Sequence, residues 1–124
     1  MRHCFSYGLF ALVLAGQGAL DSQAQERDTF DQAVAPILAN RCLECHRGAD
    51  AQGGLDLSQQ GKALRGGESG PAWRAGKPLE SLLWERVANG EMPPKKPLPE
   101  NEREVLRKWI ADGAAWGTDT IDPF

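Results

Sequence analysis

The sequence predicts a small all-α protein. Apolar residues recur at helical spacing in three segments, while strand-like alternation is confined to Leu55 and Leu57. Nine of the 14 glycines lie between Gly48 and Gly90, so we expect the middle of the chain to be mostly loop. A small domain with so much loop has a thin apolar core and commonly needs a metal, a disulfide or a cofactor to hold it together.

Three segments are expected to form the helices. The first covers residues 28–40, and Pro36 should kink it or restart it as two short pieces. The second covers residues 78–88 and the third residues 99–112. Their apolar faces are Leu79, Leu82, Leu83 and Val87 in the second helix, and Val105, Leu106, Trp109 and Ile110 in the third.

Residues 1–24 have the pattern of an export signal. A short basic start precedes an apolar run over residues 4–15, and small residues before and at Ala24 offer a cleavage site. The run is too short and too interrupted for a confident membrane span, and an uncleaved anchor is the alternative. We therefore expect the rest of the chain to work in the periplasm or another exported location.

One small domain is expected after the signal. It should cover residues 25–117, and residues 118–124 should form a tail or the start of a linker. The whole chain carries 14 Lys and Arg against 17 Asp and Glu, a net charge of −3. Because both signs are interspersed, we expect no basic face for nucleic acid, and no transmembrane segment in the mature chain.

The clearest chemistry belongs to Cys42, Cys45 and His46, in the stretch RCLECHR. Two cysteines at this spacing with a histidine directly behind them suit a zinc half-site, a dithiol redox pair or a covalently attached haem c. Zinc normally takes four ligands from two separated pairs, and no second pair is present. A redox dithiol belongs on a strand-to-helix turn, and a disulfide across so short a loop restrains the unfolded chain little.

Haem c accounts for the spacing and the compartment together. The two thiols add across the two vinyl groups and the next residue reaches the iron, so the porphyrin sets the order of the motif. Attachment needs reduced thiols outside the cytoplasm, which agrees with an export signal. We expect one haem c bound through Cys42 and Cys45 with His46 as an iron ligand, and a largely disordered chain without it.

Met92 is the predicted second ligand of the iron. After signal removal, His46 and Met92 are the one histidine and the one methionine of the chain, and methionine is a soft neutral ligand that raises the reduction potential. The alternative is a core methionine, although a glutamate before it and two prolines after it do not suit a core position. With both ligands bound, the iron has no open position for substrate, so we expect an electron carrier and not an enzyme.

Other residues are candidates for contacts around the haem. Lys95 and Lys96 follow Met92 and either steer an acidic partner or are simply solvated. Trp84 is expected on the ring or in the core. The candidates for the haem propionates, with a plain surface cluster as the alternative, are Arg65, Trp73, Arg74 and Lys77.

These motifs, in this order, resemble the planctomycete-type cytochrome c domain. The resemblance runs from about Phe30 to Trp116. It implies the small cytochrome c fold, in which the first and last helices cross and Phe30 faces Trp109. The motifs are Val34-Ala35-Pro36-Ile37-Leu38, the CxxCH of residues 42–46, Gly53-Gly54-Leu55-Asp56-Leu57, Gly66-Gly67, Met92-Pro93-Pro94 and Trp109-Ile110-Ala111-Asp112-Gly113-Ala114.

The expected function is therefore the transfer of one electron between redox protein partners. The main alternative is a haem enzyme or ligand sensor with an open or displaceable distal site, which requires that Met92 does not bind. Domains of the family often stand at the N-terminal end of longer exported proteins, so a haem module or an interaction module of a larger protein is a further alternative.

Overall fold

The computed structural model describes residues 18–123, which contain α-helices and no β-strand. The all-α prediction is thus confirmed for this part of the chain, while the apolar run of the expected export signal, residues 4–15, lies outside it. None of the helices described is long and apolar enough to cross a membrane. The α-helices are α1 Gly18–Thr29, α2 Ala35–Arg41, α3 Gln60–Arg65, α4 Leu82–Ala88 and α5 Glu100–Ala111.

The first helix includes Gly18, whereas the sequence predicted a start at residue 28. The residues between them include no proline and several good helix formers, so helix continues through the expected start. The Thr29 hydroxyl donates a hydrogen bond of 2.8 Å to the Gln25 carbonyl one turn earlier and caps nothing. All side chains of α1 are exposed, so the cleavage expected after Ala24 would leave the core intact.

Pro36 restarts the helix as predicted. It stands in the first turn of α2, directly after a π-helical turn at Phe30–Val34. Because proline has no N–H, it cannot bond to the carbonyl one turn earlier, and the wider π turn accommodates the lost bond. The helical run therefore changes its geometry at the point where it enters the core.

An aromatic cluster holds α5 against this π turn. The rings of Phe30 and Trp109 have centroids 5.8 Å apart, which is the facing pair that the family resemblance implied. Trp116 lies 4.5 Å from Phe30, and Trp73 lies 5.0 Å from Trp109. Each such pair contributes about 0.5–1.5 kcal/mol beyond its burial. The cluster joins the π turn, the loop before α4, α5 and the segment after α5.

Ser81 divides the second predicted helix. A 3-10 turn covers Pro78–Glu80 and α4 begins only at Leu82. The hydroxyl of Ser81 is buried and donates a hydrogen bond of 2.8 Å to the Lys77 carbonyl, which fixes the break. Leu79 is consequently 91% exposed, so its predicted place on the apolar face of a helix was wrong.

The segment after α5 packs back onto the domain. Ile121 is buried, and its amide donates a hydrogen bond of 2.8 Å to the Ser58 carbonyl. The Asp31 carboxylate accepts hydrogen bonds from the amide and the hydroxyl of Thr118, at 2.7 and 3.0 Å. Gly117 makes this approach possible, since a Cβ there would lie 2.3 Å from the Asp31 carboxylate. The chain is held in place as far as Ile121.

Candidate haem-binding site

The CxxCH turn directly continues α2. The Cys42 amide donates a hydrogen bond of 2.9 Å to the Leu38 carbonyl and so extends the helical pattern. The amides of Cys45 and His46 both donate to the Cys42 carbonyl, at 3.2 and 2.9 Å. These bonds close the motif into one compact turn whose position is set by the end of α2.

The loop that follows is bonded back to the same turn. The Gln52 amide donates to the Cys45 carbonyl at 2.8 Å, and the Leu57 amide donates to the His46 carbonyl at 2.9 Å. A further bond of 2.8 Å, from the Glu68 amide to the Gly53 carbonyl, connects this loop to the glycine loop after α3. The backbone of the cysteine turn is therefore part of a continuous network.

Asp56 secures this loop from inside. Its carboxylate accepts hydrogen bonds from the amide of Gly48 at 3.0 Å and from the amide and hydroxyl of Ser58 at 2.9 and 2.6 Å. The Lys62 ammonium lies 3.5 Å away. Burial alone would raise the pKa of Asp56, but the donors and Lys62 outweigh it and hold the pKa below its usual value. An ionised Asp56 thus fixes the segment after His46.

A cavity of about 330 Å³ opens beside the cysteine turn. Cys42, His46 and Met92 all line it, whereas Cys45 lies in the same turn without being part of the wall. Ligand-binding cavities commonly measure about 300–1,000 Å³ and are mostly apolar. The apolar part of this wall consists of Leu55, Leu57, Ala72, Leu82, Leu83, Val87 and Leu106.

The imidazole of His46 has an unsatisfied buried atom. Its Nδ1 is enclosed and has no hydrogen-bond partner in the part of the chain described, residues 18–123. Leaving such a group unpaired costs about 1–3 kcal/mol, and exceptions of this kind often mark functional positions. An imidazole and a thioether in the wall of an apolar cavity, with two thiols in one turn, form a donor set that fits a c-type haem.

The two cysteines are free thiols. Burial is the main cause that raises the pKa of Cys42 to about 12. The positive charge of Arg41 lowers this pKa, and the negative charge of Glu102 raises it further. The Cys42 thiol is therefore neutral at physiological pH, whereas redox dithiols depend on a thiolate of lowered pKa. Within residues 18–123, no group of three or more His, Cys, Asp and Glu side chains is arranged to hold a metal ion, so the zinc alternative has no ligand set.

Met92 is positioned by the end of α4. The amides of Glu91 and Met92 both donate to the Arg86 carbonyl, at 2.9 and 3.1 Å. Nη1 of Arg86 also donates a hydrogen bond of 2.8 Å to the Glu91 carboxylate. Gly90, with a φ of +73°, allows the sharp exit from the helix that this arrangement needs. One residue of α4 thus contacts the methionine segment through both its backbone and its side chain.

None of the four propionate candidates lines the cavity. Trp73 is buried in the aromatic cluster, and Lys77 pairs with Glu80 at 3.4 Å. Among residues 18–123, the charged residue in the wall is Arg86, which was not among the residues predicted from the sequence. Its position four residues after Leu82 on α4, one helical turn along the same face, is the signal that could have found it. Trp84 is half-buried against the core, one of the two places expected for it.

An all-α domain in which a CxxCH turn and a methionine share an apolar cavity has the donor set of a c-type haem protein. Residues 42–96 match the family model described as Planctomycete cytochrome C, which confirms the resemblance over that segment. The matched segment contains Cys42, Cys45, His46 and Met92. Neither the curated proteins nor the solved structures contain a match to this chain. The match of this segment indicates a haem-binding protein.

Proposed function

We propose that the chain is an exported monohaem c-type cytochrome that carries one electron between redox proteins. The observation that supports this most strongly is that Cys42, His46 and Met92 line a single apolar cavity inside the segment that matches the cytochrome family. No other histidine or methionine lies between residues 18 and 123, so the wall uses the two axial ligand types that the chain offers there.

Four residues would hold the haem. The thiols of Cys42 and Cys45 would attach it through thioether bonds, each S–H adding across one vinyl group with the sulfur on one carbon and the hydrogen on the other. His46 would offer an imidazole nitrogen and Met92 a thioether sulfur to the iron. Haem c would supply a one-electron couple between ferric and ferrous iron. The apolar wall keeps water away, and this burial and the methionine both tune the reduction potential, methionine by raising it.

Partner docking is proposed near the methionine segment. Lys95 and Lys96 are exposed three and four residues after the cavity-lining Met92. Exposed ammonium groups beside a redox centre attract an acidic partner surface and increase the rate of encounter more than the affinity. We expect the association rate with an acidic redox protein to fall with rising ionic strength.

A ligand sensor or enzyme with a displaceable distal site is the second candidate. Among the hydrogen bonds of residues 18–123, the Met92 backbone is held by one, from its amide to Arg86, whereas the cysteine turn is tied at several points. A segment held so lightly favours dissociation of a weak axial ligand. Carbon monoxide binding to the ferrous protein distinguishes this candidate from a carrier whose methionine stays bound.

The proposal is tested on exported, haem-loaded protein. We expect absorption bands of haem c that stay with the polypeptide after denaturation, and a reversible redox titration that fits one electron. A chain that carries no covalent haem after export together with the haem-attachment machinery contradicts a c-type cytochrome. Covalent haem whose ferrous form binds carbon monoxide readily in the wild type contradicts the carrier and supports the second candidate.

A further inference from the structure

The cavity wall contains a single permanently charged residue in the part of the chain described. Of the Arg, Lys, Asp and Glu residues among 18–123, only Arg86 lines the cavity. The remaining wall is apolar apart from the site residues and small or uncharged polar residues such as Gln52 and Ser69. A guanidinium in a wall of this kind offers charged N–H donors to an anionic group at the edge of the cavity.

Arg86 lies at the border between the cavity and the solvent. On α4 it shares the cavity face with Leu82, Leu83 and Val87, yet 47% of its side-chain surface is exposed. Its Nη1 donates to Glu91, and within residues 18–123 this is the one hydrogen bond that the guanidinium donates. A guanidinium carries five N–H donors, so most of them are available to a second carboxylate.

We propose that Arg86 binds a propionate carboxylate of the haem and shares its guanidinium between that group and Glu91. This inference rests on the proposed function, since it requires the haem. Haem carries two propionates, and a planar fork of N–H donors matches a carboxylate in charge and in shape. Arg86 replaces Arg65, Trp73, Arg74 and Lys77, which lie outside the cavity wall.

The position of Arg86 links the anionic edge of the haem to the methionine segment. Its carbonyl accepts the amides of Glu91 and Met92, at 2.9 and 3.1 Å, while its side chain holds the Glu91 carboxylate. A change of charge at the propionate would therefore act on Arg86, the residue whose carbonyl binds the amide of Met92. Removing the positive charge should favour ferric iron and raise the pKa of the propionate.

The test is the reduction potential of the haem-loaded protein as a function of pH. In Arg86→Gln we expect a lower potential, equivalent to a roughly three- to tenfold fall in the ferrous-to-ferric ratio at fixed ambient potential. The pH-dependent step of the potential should also move to higher pH. Arg86→Lys should keep most of the potential, and Arg74→Gln, an exposed arginine outside the cavity, serves as the matched control.

Glu91→Gln separates a contact with the propionate from an effect of the Arg86–Glu91 pair alone. If the guanidinium is shared, removal of the Glu91 charge frees it for the propionate, and the pH-dependent step moves to lower pH. Arg86→Gln should lower the potential in this background as well. Because Glu91→Gln keeps Arg86, it decides the matter even if Arg86→Gln fails to load haem.

Other titratable groups do not confuse this measurement. Besides Arg86, the titratable residues that the described part of the chain places in the cavity wall are Cys42 and His46, both used in the proposed attachment and ligation. The wall formed by α5 and by residues 67–72 contributes Leu106, Gly67, Ser69, Gly70 and Ala72, none of which titrates. Glu91 is the remaining carboxylate in contact with Arg86, and its variant is part of the design.

Two results would overturn the inference. One is an unchanged potential and an unchanged pH profile in Arg86→Gln and in Glu91→Gln, with haem bound in both. The other is an effect of Arg86→Gln that disappears in the Glu91→Gln background, which would assign the whole effect to the surface pair. Wild-type protein without covalent haem overturns the proposed function as well, and this is determined before any potential is measured.

Discussion

The two sides of the cavity are built differently. The cysteine side, residues 42–58, is bonded to α2, to itself and to the glycine loop, and an ionised Asp56 ties its ends together. The methionine side, residues 90–97, is connected to α4 by backbone bonds to the carbonyls of Arg86 and Val87 alone, and it contains three prolines, which donate no backbone hydrogen bonds. The cysteine side is therefore held by many hydrogen bonds, and the methionine side by few.

This difference matches the chemistry proposed for each side. Thioether bonds and a proximal histidine require residues that hold one geometry while the haem is attached, which a dense hydrogen-bond network provides. A methionine ligand needs only to reach the iron, and its bond is the weaker one. We therefore expect changes on the cysteine side to affect attachment and folding, and changes on the methionine side to affect potential and ligand exchange.

The largest expected difference concerns attachment. Cys42→Ser combined with Cys45→Ser should abolish covalent haem, because no thiol remains to bond to the vinyl groups. Met92→Leu should retain full covalent haem, since it alters only the proposed distal ligand. Haem that stays with the denatured polypeptide in a gel or by mass measures both. Equal loss of covalent haem in the two variants would remove the distinction between the sides.

Gly67, which packs against the cysteine side, and Gly90, on the methionine side, test the difference in rigidity. A Cβ at Gly67 would lie 2.5 Å from the Gly53 carbonyl, so Gly67→Ala must move backbone that the cysteine side depends on. We expect a loss of about 3 kcal/mol. At Gly90 the added methyl group meets only a proline side chain at 3.7 Å, and the φ of +73° costs about 1 kcal/mol.

Denaturant unfolding of the haem-loaded variants measures these two losses. Gly61→Ala is the control, since nothing lies within 4 Å of a Cβ there and the residue is inside α3. We expect it to stabilise the protein by about 0.5–1 kcal/mol. Gly90→Ala costing as much as Gly67→Ala would show that the methionine side is as tightly built as the cysteine side.

Asp56→Asn tests the hydrogen bonds that Asp56 accepts within the cysteine side. Its effect on the free energy of unfolding should depend on pH. At neutral pH we expect a loss of about 1–3 kcal/mol, because the ionised acceptor of the Gly48 and Ser58 hydrogen bonds is removed. The pKa of Asp56 is lowered in the folded state, so its contribution is present above the ordinary value of 3.8 and is lost as the pH falls through the folded value.

The difference in unfolding free energy between wild type and Asp56→Asn should accordingly shrink as the pH is lowered below about 4. Asp50→Asn, at an exposed position of the same loop, provides the control and should show no such dependence. A difference that stays constant between neutral and acid pH would mean that the charge of Asp56 does not hold the loop.

The smallest expected effect is the coupling between Arg41 and Glu102, which joins the start of the cysteine turn to α5. Two parallel hydrogen bonds of 3.0 Å connect them, and their side chains are 27% and 23% exposed. A double-mutant cycle with Arg41→Gln and Glu102→Gln should give a coupling of about 0.5–1 kcal/mol. The more exposed pair Glu104 and Arg107 on α5 is the matched comparison, and equal coupling in the two pairs would contradict a specific role.

The residues proposed for the site could be singled out in the sequence because their types are rare and their spacing suits a haem c. Cys42, Cys45 and His46 form one motif, and Met92 was the single methionine left to consider. The apolar stripe of α5 was predictable from its helical period, and Leu106, Trp109 and Ile110 are buried. In each of these cases a local pattern decides the outcome.

Arg86 was not predictable in the same way. The chain has 14 Lys and Arg residues, and the helical spacing of Arg86 from Leu82 does not by itself show which of them lines the cavity. The start of α4 was not predictable either, because it is set by Ser81, whose hydroxyl bonds to the Lys77 carbonyl at the end of a 3-10 turn and leaves no periodic signal. The break at Ser81 also exposes Leu79. The start of α1 was missed for a similar reason, because the helix continues through the predicted start at residue 28.

The far-red absorption of the ferric, haem-loaded protein is the most direct test of the account. It shows whether Met92, on the weakly held methionine side, binds the iron. The weak band in that region reports a methionine sulfur bound to ferric iron. We expect the band in the wild type, and we expect Met92→Ala to lose it while keeping covalent haem and gaining carbon monoxide binding in the ferrous state. A wild type without the band, or a Met92→Ala variant that retains it, would contradict the proposed ligation.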